Sequence, residues 1–189
     1  MASSRIVIGL SGASGAQYGI RLLERLRDRG DVETHLVVSK AAEKTLHQEM
    51  GLLLGDVKPL ATHWHPIEAV GATIASGSFL TDGMVVAPCS INTLSAITYG
   101  VASNLLVRAA DVTLKERRRL ILMVRESPLH LGHLRTMTAA AEMGAIIAPP
   151  MPDFYNRPQT VDEVVEQGVG RLLDLLNLSL DSTKRWQGV

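Results

Sequence analysis

Small residues and hydroxyl groups near the start of the chain have the composition of a phosphate-binding loop. Residues 11–15 are Ser-Gly-Ala-Ser-Gly and follow an apolar run, 5–10, typical of a buried parallel strand. Glycine allows the positive φ and the close approach to a ligand that such a turn needs. The helix predicted next directs its N–H groups towards the loop. The same small residues would also permit tight strand–helix packing, so a ligand site and a packing role both remain open.

The glycine spacing argues against two common nucleotide sites, because it matches neither G-x-G-x-x-G nor G-x-x-x-x-G-K-[ST]. The glycines concerned are Gly9, Gly12, Gly15 and Gly19. The second predicted strand ends at Ser39, where a dinucleotide site needs an acidic residue for the ribose. Further polar groups follow other predicted strands, at Ser90, Thr93 and Arg125. Together these groups favour a mononucleotide such as FMN.

Charged side chains recur on one predicted helix and after one predicted strand. Arg108, Asp111 and Lys115 are spaced i, i+3 and i+7 and therefore share a helix face. A solvated charged face and a partly buried functional face both fit this spacing. Glu126 directly follows Arg125. That pair is either a salt bridge or a carboxylate placed to relay protons.

Two histidine pairs and one cysteine are the remaining candidates for chemistry. His63-x-His65 and His130-x-x-His133 each lack a third acidic or thiol neighbour along the chain, so we expect no metal. Cys89 follows a predicted buried strand, where a lone thiol is usually unreactive.

Alternating strands and helices must position these residues. Strands are predicted at 5–10, 32–38, 56–61, 83–87, 120–124 and 145–148. Helices are predicted at 15–29, 40–49, 90–99, 104–118, 132–143 and 160–176. Ser103 and Thr160 are the expected N-caps of two helices, and 63–66 is expected to break the chain after the third strand. This alternation predicts an α/β fold, a three-layer Rossmann-like or flavodoxin-like parallel sheet with helices on both faces. The polar turns would then converge beyond the carboxyl ends of the strands.

Length and charge exclude several classes of function. A chain of 189 residues suits a single domain, 1–189. Its 19 basic and 19 acidic side chains cancel, so no general basic surface for nucleic acid exists. The apolar runs are too short to span a membrane. A single cysteine excludes a disulfide framework and fits a reducing compartment, so we expect a cytoplasmic protein.

Several longer strings of residues resemble one known family. They are GLSGASGAQYG, HLVVSKAA, ASGSF, VAPCSINTLSAI, RAADVTLKERR, VRESPLHLGHL, PPMPDFYNRPQ and the terminal RWQG. Together they are similar to the flavin prenyltransferases of the UbiX or Pad type, formerly called aromatic-acid decarboxylases. The likeness extends from Arg5 to Gly188. Its most specific blocks are RAAD…LKERR, R-E-x-P-L and F-Y-x-x-P.

The resemblance implies a metal-independent transfer of a dimethylallyl group from dimethylallyl monophosphate to reduced FMN. New bonds form at flavin N5 and C6 and close a fourth, non-aromatic ring. The product, prenylated FMN, is the cofactor of UbiD-type decarboxylases, which the resemblance makes the functional partner. It also implies a large homo-oligomer, often a dodecamer, with the flavin between subunits.

The resemblance assigns roles to particular residues. FMN would be held by Gly12, Ala13, Ser14, Ser39, Ser90, Ile91, Asn92, Thr93 and Arg125. The family often has Lys where Asn92 stands, which puts a cationic contact there in doubt. The prenyl phosphate would be held by Lys115, Tyr155 and Arg171. The catalytic groups would be Glu126 as acid and base, Glu49, Arg108, Lys115 and Trp186. A ring face such as that of Trp186 stabilises a desolvated cation by about 2 kcal/mol, which suits allyl charge as phosphate leaves.

Two other functions stay open on the residues alone. An FMN-dependent decarboxylase of peptidyl or pantothenoyl cysteine shares this fold but needs a histidine after the first loop, and none occurs before His35. A non-enzymatic flavin-binding module would not depend on Glu126.

Overall fold

Six parallel strands form one sheet in the described part of the chain. The computed structural model describes residues 4–179, 186 and 188. The strands are β1 (Ser4–Leu10), β2 (Val32–Val38), β3 (His63–His65), β4 (Gly83–Cys89), β5 (Arg119–Val124) and β6 (Ile146–Ile147). Their order is β3-β2-β1-β4-β5-β6. The direction of winding reverses between β1 and β4, so a crevice opens beyond the carboxyl ends of these two strands.

Helices cover both faces of the sheet. They are α1 (Ala16–Arg29), α2 (Lys40–Met50), α3 (Leu54–Val57), α4 (Ile91–Thr98), α5 (Leu105–Lys115), α6 (Leu131–Glu142) and α7 (Val161–Leu175). Side chains of α1, α2 and α7 share one apolar core, and those of α4, α5 and α6 share the other. The predicted three-layer α/β sheet is confirmed. Of the helices in residues 4–179, none has the length and apolar character needed to cross a bilayer.

The strand β1 shows how the sequence divides between the two cores. Ile6, Ile8 and Leu10 face the α1 side, and Val7 faces the α5 side. All four are almost completely buried. Alternate residues of a strand point to opposite faces, so a continuous apolar run is what a strand covered on both faces requires.

The edge of the sheet differs from the prediction. Residues 56–61 are not a strand, because they form the end of α3 and a 3₁₀ turn, Lys58–Leu60, in which Pro59 lacks an N–H for a sheet ladder. The segment expected to break the chain is instead the edge strand β3, which pairs with β2 from His35 to Val37.

One predicted cap is also wrong by a residue. Asn104, not Ser103, caps α5, since the Asn104 Oδ1 atom accepts a 3.0 Å hydrogen bond from the Val107 N–H. The helix ends at Lys115 because Arg117 takes the left-handed conformation with φ of 57°. The Thr160 cap is confirmed by a 3.1 Å hydrogen bond from the Glu163 N–H to its Oγ1.

Candidate active site

The loops that follow β1 and β4 are tied together at the crevice. The Ser11 hydroxyl donates to the Pro88 carbonyl at 2.9 Å and accepts from the Ser90 N–H at 2.8 Å. Ser11 was not among the predicted site residues. Its position directly after a buried strand was the available signal, since a buried hydroxyl must find partners. This side chain fixes the width of the crevice where the predicted flavin residues converge.

Two predicted binding serines are helix N-caps at this crevice. The Ser39 Oγ accepts from the Ala42 N–H at 3.1 Å at the start of α2. The Ser90 Oγ accepts from the Thr93 N–H at 3.2 Å at the start of α4, and donates to the Thr93 hydroxyl. Ser39 follows β2 and Ser90 follows β4, the two strands that flank β1, so the positive ends of both helices lie at the same carboxyl edge of the sheet. Asn92 lies on the exposed side of the first turn of α4, after the half-buried Ile91.

Packing against α2 shapes the glycine loop. A Cβ atom on Gly12 would lie 2.4 Å from the Ala41 Cβ, so the loop can approach α2 only without a side chain there. Ala13 is buried and Ser14 is exposed. The packing interpretation therefore applies to Gly12, and the ligand interpretation of the loop stays a prediction.

A carboxylate already occupies the N-terminus of α1. Glu49, at the end of α2, accepts hydrogen bonds from the Gly15 N–H at 3.0 Å and the Ala16 N–H at 2.9 Å. Burial by itself raises the pKa of Glu49, but hydrogen bonds from Ser14, Ala16 and Gly15 outweigh it and hold the pKa below its usual value. Glu49 thus takes the Gly15 and Ala16 N–H groups that were expected to be free, and phosphate binding at this loop stays a prediction.

Arg125 and Glu126 leave the carboxyl end of β5 on the same side of the sheet. The Arg125 N–H donates to the Cys89 carbonyl at 3.0 Å, which sets this turn beside the β4 loop. The positive charge of Arg125 contributes to the lowered pKa of Glu49. Glu126 accepts from the Ser127 N–H at 3.0 Å and is exposed. No ion pair joins Arg125 to Glu126 within residues 4–179, so their side chains stay available for other groups.

Two predicted prenyl-site aromatics contact one another. The rings of Tyr155 and Trp186 meet edge to face with centroids 5.4 Å apart. Both remain exposed, at 51% and 60%. Arg171 lines a separate cavity of about 290 Å³ between β6, the Pro-rich segment and α7. Its guanidinium is 3.9 Å from the Asp174 carboxylate.

Lys115 lies far from this opening. The helix α5 runs back from the carboxyl edge of the sheet, and Lys115 ends it at the amino edge, just before β5. The six-residue strand β5 separates the two edges by about 20 Å. There Lys115 pairs with Glu116, while Arg108, further back along α5, pairs with Asp111 at 2.6 Å. Within one chain, Lys115 and Tyr155 are therefore not brought together.

Arg118 has a structural role that the sequence did not indicate. It belongs to three consecutive arginines, 117–119, whose composition predicts a solvated cluster or a subunit contact. Its guanidinium instead donates to the carbonyl oxygens of Gly77 at 2.6 Å and Phe79 at 2.9 Å, and to Thr81 Oγ1 at 3.3 Å. These bonds fix the small-residue loop 76–80 at the amino edge.

The cysteine and the second histidine pair bear no sign of catalysis. Cys89 is fully buried, and burial raises the pKa of its thiol far above the usual value. His130 caps α6, its Nδ1 accepting from the Gly132 N–H at 3.0 Å. That nitrogen is thus committed to the backbone.

Comparison with known proteins identifies the protein family to which the chain belongs. The Flavoprotein family matches residues 1–172. Flavin prenyltransferase UbiX of Thauera aromatica is 56% identical over 184 residues, which cover 97% of this chain and 94% of that protein.

Two crystal structures share the complete fold. AnUbiX (PadA1), in complex with FMN and dimethylallyl pyrophosphate, superposes with a TM-score of 0.96 at 46% identity and covers 99% of both chains. A dodecameric FMN-dependent UbiX-like decarboxylase from Escherichia coli O157:H7 gives a TM-score of 0.95 at 48% identity, covering 97% of this chain and 100% of the other. The cysteine decarboxylase SpaF, at 17% identity and a TM-score of 0.65, shares the fold alone.

The chain is an α/β protein of the Flavoprotein family. Within that family it belongs to the UbiX-type flavin prenyltransferases, which makes it a transferase. The family resemblance found in the sequence is thereby confirmed.

Proposed function

We propose that this chain transfers the dimethylallyl group of dimethylallyl monophosphate to reduced FMN, with new bonds at flavin N5 and C6 and no metal ion. The observation that carries the proposal is the crevice between the β1 and β4 loops. There the N-termini of two helices, serine hydroxyls and Arg125 face one opening. The complex of AnUbiX with FMN and dimethylallyl pyrophosphate supports it further.

The donors at the crevice fit FMN. Since Glu49 uses the N–H groups of α1, the phosphate is expected at α2 and α4, beside Ser39, Ser90 and Arg125. Gly12, Ala13 and Ser14 would line one wall, and Ile91, Asn92 and Thr93 the other. Reduced FMN supplies the electron-rich ring that forms the new bonds. The protein holds that ring in place and excludes water from it.

Aromatic side chains would face the prenyl group. The contact between Tyr155 and Trp186 supports a common role, with the Tyr155 hydroxyl on the prenyl phosphate and the Trp186 ring against the allyl carbons. A ring face stabilises positive charge as phosphate departs. Arg171, largely exposed beside its cavity, would be a cationic ligand of that phosphate.

The carboxylates of Glu49 and Glu126 would have different roles. Glu49 accepts two backbone hydrogen bonds, and its lowered pKa keeps it ionised at neutral pH. It is therefore suited to orienting the glycine loop and balancing the charge of Arg125. Glu126 makes a single local hydrogen bond and is exposed, so it is the carboxylate free to exchange a proton with the leaving phosphate or the flavin.

Lys115 would reach the prenyl phosphate only from a neighbouring subunit. Its place at the amino edge, about 20 Å from the opening of its own chain, supports a site assembled from several subunits. Arg108 on the same helix would be contributed in the same way. The dodecameric relative from Escherichia coli O157:H7 supports a dodecamer here. Apolar side chains are exposed around the opening, including Leu131, Met151 and Phe154, and subunit contact would cover them.

The product would be released to a UbiD-type decarboxylase, the partner that the family implies. A single domain, 1–189, and a cytoplasmic location stay predictions from the sequence.

The decisive experiment measures the mass of the flavin. Anaerobic incubation of the protein with reduced FMN and dimethylallyl monophosphate should increase the flavin mass by one C5 unit. Dimethylallyl diphosphate and isopentenyl phosphate serve as comparison donors. An unchanged flavin mass with every donor would refute the proposal.

Two variants distinguish this enzyme from a flavin-binding module. Glu126→Gln should retain FMN but form product at least tenfold more slowly, since general acid–base catalysis contributes about 10²–10⁴-fold. Unchanged product formation would remove Glu126 from the mechanism. Lys115→Ala and Glu126→Gln subunits can also be mixed after dissociation and reassembly. The mixture should be more active than either impaired variant only if one site draws the two residues from different chains.

A further inference from the structure

A cluster of histidines and one glutamate lies at the amino half of the sheet, apart from the crevice. Glu33 and His35 project from β2, and His63 and His65 from the edge strand β3 beside it. The pairing of His35 with His63 puts these alternate residues on one face. His63 and His65 are two residues apart in sequence, as are Glu33 and His35. The carboxylate and the third imidazole come from residues about thirty positions earlier.

We propose that Glu33, His35 and His63 form a binding site for a transition-metal ion of the Zn²⁺ type. One ligand atom from each residue lies within 4.8 Å of the others. The Glu33 Oε1 is 2.9 Å from the His35 Nε2 and 3.3 Å from the His63 Nε2. Tetrahedral zinc with bonds of about 2.0–2.1 Å places its ligand atoms about 3.3 Å apart. The three groups therefore need only small side-chain shifts to bind one ion.

Contacts behind these ligands orient them for metal. The His35 Nδ1 is 3.0 Å from the His65 Nε2, so His65 can accept the Nδ1 proton while the Nε2 lone pair faces the ion. Metal-binding histidines commonly donate their second nitrogen in this way. The Phe79 ring packs edge-on against His35, which is only 3% exposed.

Charge around the site selects the kind of ion. The second carboxylate oxygen of Glu33 binds the Arg5 guanidinium at 3.1 Å, which fixes the carboxylate but offsets its charge. Hard cations such as Mg²⁺ and Ca²⁺ depend on several oxygen ligands and are disfavoured here. Imidazole nitrogen suits Zn²⁺, Co²⁺ and Ni²⁺. His63 is half exposed and gives the ion a route in from solvent.

A bound metal ion would add a cross-link between the edge strand β3 and its neighbour β2. The strand β3 has only three residues, and the chain on both sides of it lacks regular strand pairing. A cross-link between Glu33 or His35 and His63 would hold this edge in place, together with the loop that ends at Phe79. The site lies apart from the crevice of its own chain, at the half of the sheet that holds the amino ends of the strands.

The test uses untagged full-length protein freed of metal with a chelating resin. Calorimetric titration with ZnCl₂ should show one Zn²⁺ per chain, and Co²⁺ should give the strong visible absorption of a four-coordinate site. His63→Ala should abolish saturable binding. His65→Ala should weaken it about 10- to 100-fold, as expected for a group that orients a ligand. Circular dichroism of each variant confirms that the chain is folded.

The matched control is His47→Ala, which removes an exposed histidine from α2 and should leave the Zn²⁺ affinity unchanged. Absence of saturable Zn²⁺ binding by the parent protein would overturn the proposal. So would an affinity that His63→Ala leaves unchanged. Because the readouts are binding and absorption, a negative result would say nothing about flavin prenylation.

Discussion

Glu49 is expected to stabilise the folded chain by capping a helix to which it does not belong. The helix α1 begins after Gly15, which provides no side-chain cap. The Glu49 carboxylate takes that role with bonds of 3.0 and 2.9 Å to the first N–H groups. Loss of a cap costs about 0.5–2 kcal/mol, and loss of a negative charge at a helix N-terminus costs about 0.3–1 kcal/mol. Because the group lies at an exposed edge, solvent screening keeps the sum near the lower values. We expect Glu49→Ala to lose about 1–1.5 kcal/mol.

The direction of the Glu49 pKa shift predicts how its stabilisation of the folded chain changes with pH. The pKa of Glu49 is lower in the folded chain than its usual value of 4.5. Its stabilisation is therefore fully present above pH 4.5 and is lost as the pH falls through the folded pKa. Urea unfolding of the parent and of Glu49→Gln, followed by circular dichroism at one protein concentration, should show a constant difference between pH 6 and 8. That difference should shrink below pH 4.5.

A matched carboxylate separates capping from ordinary surface charge. Glu68 also has a lowered pKa, but its cause is chiefly a hydrogen bond from Lys40 on the surface. Exposed pairs of this kind contribute little to stability and are screened by salt. Glu68→Gln should therefore have a smaller effect that fades in 0.5 M NaCl. Equal stability of Glu49→Ala and the parent between pH 6 and 8 would refute the capping argument.

Three further changes test other parts of the fold. Gly12→Ala should destabilise the chain by about 1–3 kcal/mol and weaken FMN binding in a fluorescence titration, because the new Cβ would lie 2.4 Å from the Ala41 Cβ. Gly55→Ala is the control and should be tolerated, since its Cβ would meet nothing within 4 Å. Arg118→Ala should cost about 1–3 kcal/mol in urea unfolding and speed protease cleavage in the loop that it fixes, since its carbonyl partners would be left unpaired. The buried Cys89 thiol should resist iodoacetamide at pH 8 in the native protein and react once per chain in urea, as mass spectrometry would show.

The sheet could be predicted because its signals are local. Apolar runs such as β1 and caps such as Ser39 and Thr160 specify an element from a few neighbouring residues. The carboxyl-edge site followed from those elements, since parallel strands bring their ends together whatever the intervening sequence. Ser39, Ser90 and Arg125 were located in this way without any knowledge of contacts.

The errors occurred where a partner is distant in sequence. Nothing near His63 indicates that it pairs with His35, so a short edge strand was mistaken for a break. Arg118 likewise looked like one charge among three until the loop from Gly77 to Phe79 was placed beside it. In both cases the local composition was compatible with solvent exposure. The register of β2 and β3 reveals the partner of His63, and the tertiary structure of the loop reveals those of Arg118.

Glu49 and Lys115 show two different limits on reasoning from a single chain. Glu49 ends a helix and has no sequence signal for capping another, yet the fold brings it to α1, and a structure of one chain is enough to identify it. Lys115 presents the opposite case, because the fold carries it to the amino edge, away from Tyr155. If its resemblance to a phosphate ligand holds, the distance within one chain requires a second chain. The family motif places Lys115 at the prenyl phosphate, whereas the fold of one chain places it at the opposite edge of the sheet. The two observations together argue for a site assembled from several chains, and neither does so alone.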